Sequence, residues 1–191
     1  MDLTDVYAVG CVAGGPDRAV DTAVAVMLTD GRLRAERTGE LSTALLRYSH
    51  PVEAAVLDAI GRRARRSVAT VRYRCGQDER LTGLVAQLAS TGLLRRNRLT
   101  GRGRSGWTPT GAGRKWLAEA RQRRDGDTAL QIALDGLDAL PDQALRALVF
   151  TRPPVPRRVG AGYLNIDSAG SRIGENGWAH GADAGDHGPR W

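Results

Sequence analysis

Lysine is almost missing from this chain. Lys115 is the single lysine among 28 basic side chains. No Gly-rich loop ending in Lys-Ser or Lys-Thr occurs, and Gly101-Arg102-Gly103-Arg104 lacks the helix that a nucleotide loop needs after it, which argues against a phosphate-loop enzyme. Cysteine is as scarce. Cys11 and Cys75 cannot make a disulfide framework. Both read as buried, reduced thiols, although Arg74 and Arg72 beside Cys75 also admit a redox-sensing thiol with a lowered pKa. Aromatic residues are only 5% of the chain. The core must therefore come from Leu, Val and Ala, which suits small helical units. No apolar run is long enough to span a bilayer, and Asp2 and Asp5 stand where a signal peptide needs basic residues. The expectation is a soluble, cytoplasmic protein.

Histidine is limited to His50, His180 and His187. His50 precedes a proline and reads as a structural residue at a helix start. His180, Asp183, Asp186 and His187 have metal-like spacing, but in a Gly-rich stretch without cysteine they read as a solvated tail. No catalytic residue, cofactor or metal is expected, and the chain reads as a binding protein rather than an enzyme.

The charge that is present is unevenly spread. Residues 51–125 hold 17 basic and 6 acidic side chains, a net of +11. The segments 1–50 and 126–191 hold 5 against 7 and 6 against 8, a net of −2 each. A positive field confined to the middle of a chain attracts a polyanion.

The stretch from Thr70 to Arg121 lies in that field. Ser67 is a plausible N-cap for a helix over Val68–Cys75. A break at Cys75-Gly76 leads to a second helix over Asp78–Thr91, with Leu81, Leu84, Val85 and Leu88 inward and Gly92 at its end. Leu93 to Thr110 reads as a hairpin carrying Arg95, Arg96, Arg98, Arg102 and Arg104, with glycines near its tip and Trp107 on the returning strand. An amphipathic helix from Thr110 to Arg124 follows. Helix, turn, helix, hairpin, helix is the order of a winged helix-turn-helix. The leading helix is Pro51–Arg63, with Arg62, Arg63, Arg65 and Arg66 clustered at its end.

The N-terminal part shows the same plan in shorter form. Residues 2–12 read as a helix, and Gly14-Gly15-Pro16 as a turn with Pro16 opening the next helix. That helix carries Val20, Ala23, Val24 and Met27 inward and ends at Gly31. Arg32–Glu36 and Glu40–Leu45 read as a hairpin. At an offset of 61, Gly31 falls on Gly92, Val20 on Leu81, Ala23 on Leu84, Val24 on Val85, Met27 on Leu88 and Arg34 on Arg95. The first unit lacks a leading helix. Thr128–Val149 reads as two short apolar helices, the second starting at Pro141, and is the candidate to cover that side. The expected organisation is a truncated winged-helix unit at 1–49, a second at 50–125, a helical segment at 126–150 packing on the first, and a Pro/Gly-rich linker and disordered tail at 151–191. The fold class is mainly α with small β-hairpins (α+β).

Val12-Ala13-Gly14-Gly15-Pro16-Asp17-Arg18-Ala19, then His50-Pro51-Val52-Glu53, then Gly136-Leu137-Asp138-Ala139-Leu140-Pro141-Asp142 resemble an uncharacterised actinobacterial family. The resemblance covers roughly residues 5–150. It implies a winged-helix-like repeat, and in many members a membrane segment and a Gly- and Cys-rich tail. This chain departs on two counts: it has no such apolar segment, and its Gly-rich tail has no cysteine. Separately, Thr108-Pro109-Thr110-Gly111 resembles the start of the last helix in MarR- and PadR-type regulators. That likeness implies transcription regulation.

Two functions follow. The first is DNA binding, with the helix after the turn in the major groove and the arginine-rich wing on the backbone. Its candidate contacts are Arg72, Arg74, Gln77, Arg80, Gln87, Arg95, Arg96, Arg98, Arg102 and Arg104, of which Arg80 and Gln87 are the base readers. Residues 110–149 are the candidate homodimer helices. The second is protein or peptide interaction, with a peptide added along the wing edge and the Gly-rich tail recognised or modified by a partner enzyme.

Overall fold

A computed structural model describes residues 5–97, 106–123 and 126–150. Helix α1 spans Val6–Gly14. Asp5 caps it, its Oδ1 accepting the N–H groups of Tyr7 and Ala8 at 3.1 and 3.0 Å. Gly15 ends it at φ +85°, and Pro16 starts α2 (Pro16–Thr29) at once. The positive φ is what lets the two helices abut without a linker. Strands β1 (Leu33–Ala35) and β2 (Leu41–Thr43) form an antiparallel hairpin with Leu33 opposite Thr43.

Helix α3 spans Pro51–Ile60 and is capped by His50, whose Nδ1 accepts the Val52 N–H at 3.2 Å. It stops short of the arginine cluster, because Gly61 turns the chain at φ +86°. Arg65–Arg66 then forms β3, which pairs with β2, Leu41 opposite Arg66. Part of the basic cluster expected at a helix end is therefore an edge strand of a three-stranded sheet, β1-β2-β3.

Helices α4 (Val68–Cys75) and α5 (Glu79–Ser90) follow, capped by Ser67 and Asp78. Strands β4 (Leu94–Arg96) and β5 (Trp107–Pro109) make a second antiparallel hairpin, and α6 spans Gly111–Gln122. Helix α7 (Thr128–Asp135), a 3-10 turn at Leu137–Ala139 and α8 (Gln143–Phe150) complete the described chain. The second of these helices starts at Gln143, with Asp142 accepting the Leu145 N–H at 2.8 Å. The fold is mainly α with two small antiparallel sheets.

The two copies match in element order. Strand β1 maps onto β4 residue for residue at an offset of 61, and α1, α2 and α3 map onto α4, α5 and α6 to within a few residues. The inward positions match as well. Val20, Ala23, Val24, Met27 and Leu33 are buried, and so are Leu81, Leu84, Val85, Leu88 and Leu94. Gly31 and Gly92 both turn the chain after the helix, at φ +78° and +74°. Strand β3 has no counterpart in this scheme.

Most of the buried side chains of both copies belong to one connected core. Each copy alone would leave one face of its helix pair in water. Helix α3 covers α4 and α5. Helix α7 takes the same role for α1 and α2, with Leu130, Ala133 and Leu134 in the main core and Ile132 clustered with Ala25 and Leu140. Truncating a fully buried side chain such as Leu88 in such a core costs about 2–5 kcal/mol.

Candidate nucleic-acid interface

The ten candidate contact residues divide into four groups. Arg98, Arg102 and Arg104 lie outside the described residues. Arg72 and Arg80 are engaged by carboxylates. Arg72 on α4 reaches back to α2, its Nε and Nη2 donating to Asp21 Oδ1 and Oδ2 at 2.6 and 2.8 Å. Asp21 is only 7% exposed, so this bidentate pair joins the two copies rather than facing a ligand. Arg80, the expected base reader, folds onto its own helix cap. Its Nε meets Asp78 Oδ1 at 2.9 Å, and its Nη2 meets Asp78 Oδ2 and Asp58 Oδ2 at 2.7 Å each. Three bonds to two carboxylates use up most of the fork that a guanine would need.

Arg74, Gln77 and Gln87 are exposed. Arg74 spends one nitrogen on the Ala59 carbonyl at 3.1 Å. Gln87 shares the open flank of α5 with Glu79, Thr82, Gly83, Ala86 and Ser90, which offers one amide, one carboxylate and small side chains. The start of α2 stands beside that flank. Pro16 and Asp17 line a cavity of about 400 Å³ together with Gly76, Leu81, Val85 and Trp107. A carboxylate there repels phosphate.

Arg95 and Arg96 form the last group. They are neighbours on β4, so their side chains leave opposite faces of the hairpin. Both are exposed, and neither pairs with a carboxylate among the described residues. Arg95 and Arg96, like Arg74, keep their guanidinium groups clear of described carboxylates, and they do so on a hairpin that is itself rooted in the core through Leu94 and Trp107.

The thiols are closed to chemistry. Cys11 is 0% and Cys75 1% exposed. Burial pushes both up to about 12, and the carboxylates of Asp5 and Asp78 add to the rise at Cys11 and Cys75 respectively. The Arg74 neighbour does not make Cys75 a thiolate, which removes the redox-sensing reading.

Sequence reasoning passed over a buried polar cluster built on His50-Pro51-Val52-Glu53. Glu53 is 1% exposed. Its carboxylate accepts Arg32 Nη1 and Nη2 at 2.7 and 2.8 Å, the Tyr7 hydroxyl at 2.5 Å, and the Ser49 N–H and hydroxyl at 2.7 and 3.1 Å. Burial opposes its charge, but Arg32, the Ser49 N–H and Tyr7 outweigh it and hold the carboxyl at about 2. Burial and the facing Glu53 carboxylate push the Tyr7 phenol far above its ordinary range. A carboxylate so fully bonded has no lone pair left for a proton transfer. It fastens α1, the first hairpin and α3 to one another.

The other quoted motifs also meet in space. The Arg18 side chain packs over Gly14 and its guanidinium over Gly136, where an added Cβ would lie 2.7 to 2.9 Å from Nη1, Cζ and Nη2. The Gly-Gly-Pro turn and the Gly-Leu-Asp-Ala-Leu-Pro-Asp segment are thus two sides of one contact. The sequence signal was the motif pair itself, which in one dimension is a likeness and not a contact.

Comparison of the chain with protein-family models, with curated proteins and with solved structures gives no match. Among the described residues, no helix is long and apolar enough to cross a membrane.

Proposed function

We propose that this chain is a non-enzymatic tandem winged-helix protein of the cytoplasm that binds duplex DNA as a transcription regulator, through phosphate contacts of its second hairpin. The observation that carries the reading is the pair Arg95 and Arg96, exposed on opposite faces of β4 without carboxylate partners among the described residues, inside a segment of net charge +11. Phosphate contact by a wing needs guanidinium groups and reach, not a base-reading helix. Helix α5 contributes little to this reading, because Arg80 is held by Asp78 and Asp58 and the flank around Gln87 is small and partly acidic. Sequence preference is accordingly weak, and affinity falls steeply with salt.

The rival reading, a peptide added to the wing, finds less support in the geometry. Asn97 N–H bonds Gly106 O and Thr110 N–H bonds Leu93 O, so Trp107 and Pro109 are the residues of β5 that face away from β4. Pro109 has no N–H, and its carbonyl accepts Arg114 Nη1 at 3.3 Å. On the β5 edge an added strand would find a single residue with both groups free, which leaves the β4 edge, with Leu94 and Arg96, as the place for a peptide.

The test is binding to random-sequence duplex DNA over a range of salt. The slope of log affinity against log salt should flatten by about 0.9 for each phosphate that Arg95→Ala or Arg96→Ala leaves without its cation. Arg80→Ala should leave the slope unchanged. Absence of binding at low salt, or a slope indifferent to Arg95 and Arg96, would rule the reading out.

A further inference from the structure

The cavity of about 400 Å³ beside α5 is unlike its surroundings. Leu81, Val85 and Ala86 of α5, Pro16 of α2 and Trp107 of β5 give it apolar walls. Asp17 is the one charged residue that lines it. Most of those walls come from the segment 51–125, whose net charge is +11, yet the charge at the cavity is negative. Asp17 is exposed, and its carboxylate has no hydrogen bond or ion pair among the described residues.

The walls are already in place. Leu81 and Val85 are core residues, and Trp107 packs against the same core. Little ordering cost therefore falls on a ligand that enters. Thr82 and Ala86, on the open side, are exposed and too small to close it.

The start of α2 offers little to an anion. Pro16 has no N–H, and the Arg18 and Ala19 N–H groups both donate to the Gly15 carbonyl, at 3.0 and 3.4 Å. That leaves the Asp17 N–H, next to its own carboxylate. The role an anion would play at this helix end is already filled by Asp17. The Thr82 hydroxyl donates back to its own helix, to the Asp78 and Glu79 carbonyls at 3.2 Å each.

A cation with an apolar body is the complementary ligand. Apolar walls with one unpaired carboxylate bind the body by burial and orient the charge. Trp107 adds to the preference, since an indole is the best aromatic partner for a cation. A bare metal ion suits the place poorly, because a single carboxylate among apolar walls falls far short of a coordination shell.

We propose that this cavity binds a small organic cation, with its apolar body on Leu81, Val85 and Trp107 and its ammonium group beside Asp17. The inference goes beyond the DNA reading and stands without it.

The test is an NMR titration of the isotope-labelled full chain with three probes that share one phenylbutyl body: phenylbutylammonium, phenylbutanol and phenylbutyrate. Wild type should bind the ammonium most tightly, with a Kd that is roughly millimolar or lower, and the backbone signals of Gly76 and Val85 should shift. The ammonium should be preferred to the carboxylate by about fivefold or more. Indiscriminate adhesion would give the reverse order, since the chain as a whole carries a net charge of +7. Asp17→Asn should weaken the ammonium about three- to fivefold and leave the alcohol within about twofold. Ala86→Phe, which fills the cavity from its open side, should weaken ammonium and alcohol alike by about tenfold or more. Glu79→Gln removes a carboxylate from the same flank of α5 but outside the cavity, and should change neither. All three positions are exposed, and circular dichroism checks that each variant is folded. A carboxylate probe that binds as tightly as the ammonium overturns the proposal. So does an ammonium probe that fails to bind, that ignores Asp17→Asn or Ala86→Phe, or that is lost in Glu79→Gln.

Discussion

Arg72 holds Asp21 with two guanidinium nitrogens, and so a residue of α4 is committed to the buried face of α2. The pair is a clamp between copies. Removing its cation leaves a carboxylate that is 7% exposed. Arg72→Ala should cost about 3 kcal/mol, at the low end for a broken buried pair because the Arg72 side chain itself is 31% exposed. Denaturant unfolding checks this. Burial raises the Asp21 carboxyl above 3.8, and the Arg72 bonds offset only part of the rise. A carboxyl raised in the folded state binds protons there more readily than in the unfolded chain. The variant should therefore regain part of its lost stability as pH is lowered toward 3.8.

Glu53 gives the opposite sign. Its carboxyl sits at about 2 in the fold against an ordinary 4.5. Its contribution is complete above 4.5 and is lost as pH falls from there toward 2. A shift of this size corresponds to roughly 3 kcal/mol. Wild type should show a steep acid limb across that window. Glu53→Gln should be less stable at neutral pH by a similar amount and should lose most of the limb. An acid limb unchanged in Glu53→Gln would show that other carboxylates carry the acid response.

Cys11 and Cys75 are sealed in the core and pushed up to about 12. Thiol reagents should leave both untouched in the native protein at neutral pH and modify both once denaturant unfolds it. The labelling rate should follow the unfolding equilibrium. Rapid native labelling of Cys75 would reopen a redox role for it.

Much of the backbone plan was legible because local chemistry marks it. Gly31 and Gly92 end helices by turning to positive φ, Pro16 and Pro51 open them, and the buried positions of α2 and α5 keep helical spacing. The 61-residue offset follows from the same marks. Strand β3 escaped notice because Arg65-Arg66 has no apolar alternation, and it is a strand only because β2 lies beside it. The fate of the arginines was not legible either. Arg72, Arg80 and Arg95 look alike in one dimension, and only the position of Asp21, Asp58 and Asp78 in space separates two structural residues from one that no described carboxylate holds. Nothing in one dimension marks Glu53 as buried and bonded, since its partners Tyr7 and Arg32 come from two distant elements.

Gly136 joins two such distant elements through Arg18, and its substitution separates two kinds of cost. It adopts φ +90° and ψ −164°, a region open essentially to glycine. An added Cβ would also strike the Arg18 guanidinium. Gly92 has a similar φ of +74° but nothing within 4 Å of the added atom. Gly92→Ala should therefore cost about 1 kcal/mol from backbone strain alone, and Gly136→Ala about 2–3 kcal/mol from strain plus displacement of Arg18. The two contributions can be divided in an Arg18→Ala background. There the guanidinium is gone, and the excess of Gly136→Ala over Gly92→Ala should shrink by most of the part due to the clash. Equal costs for the two glycines in the wild-type background would mean that Arg18 yields freely and that the two motifs are not held together by this contact.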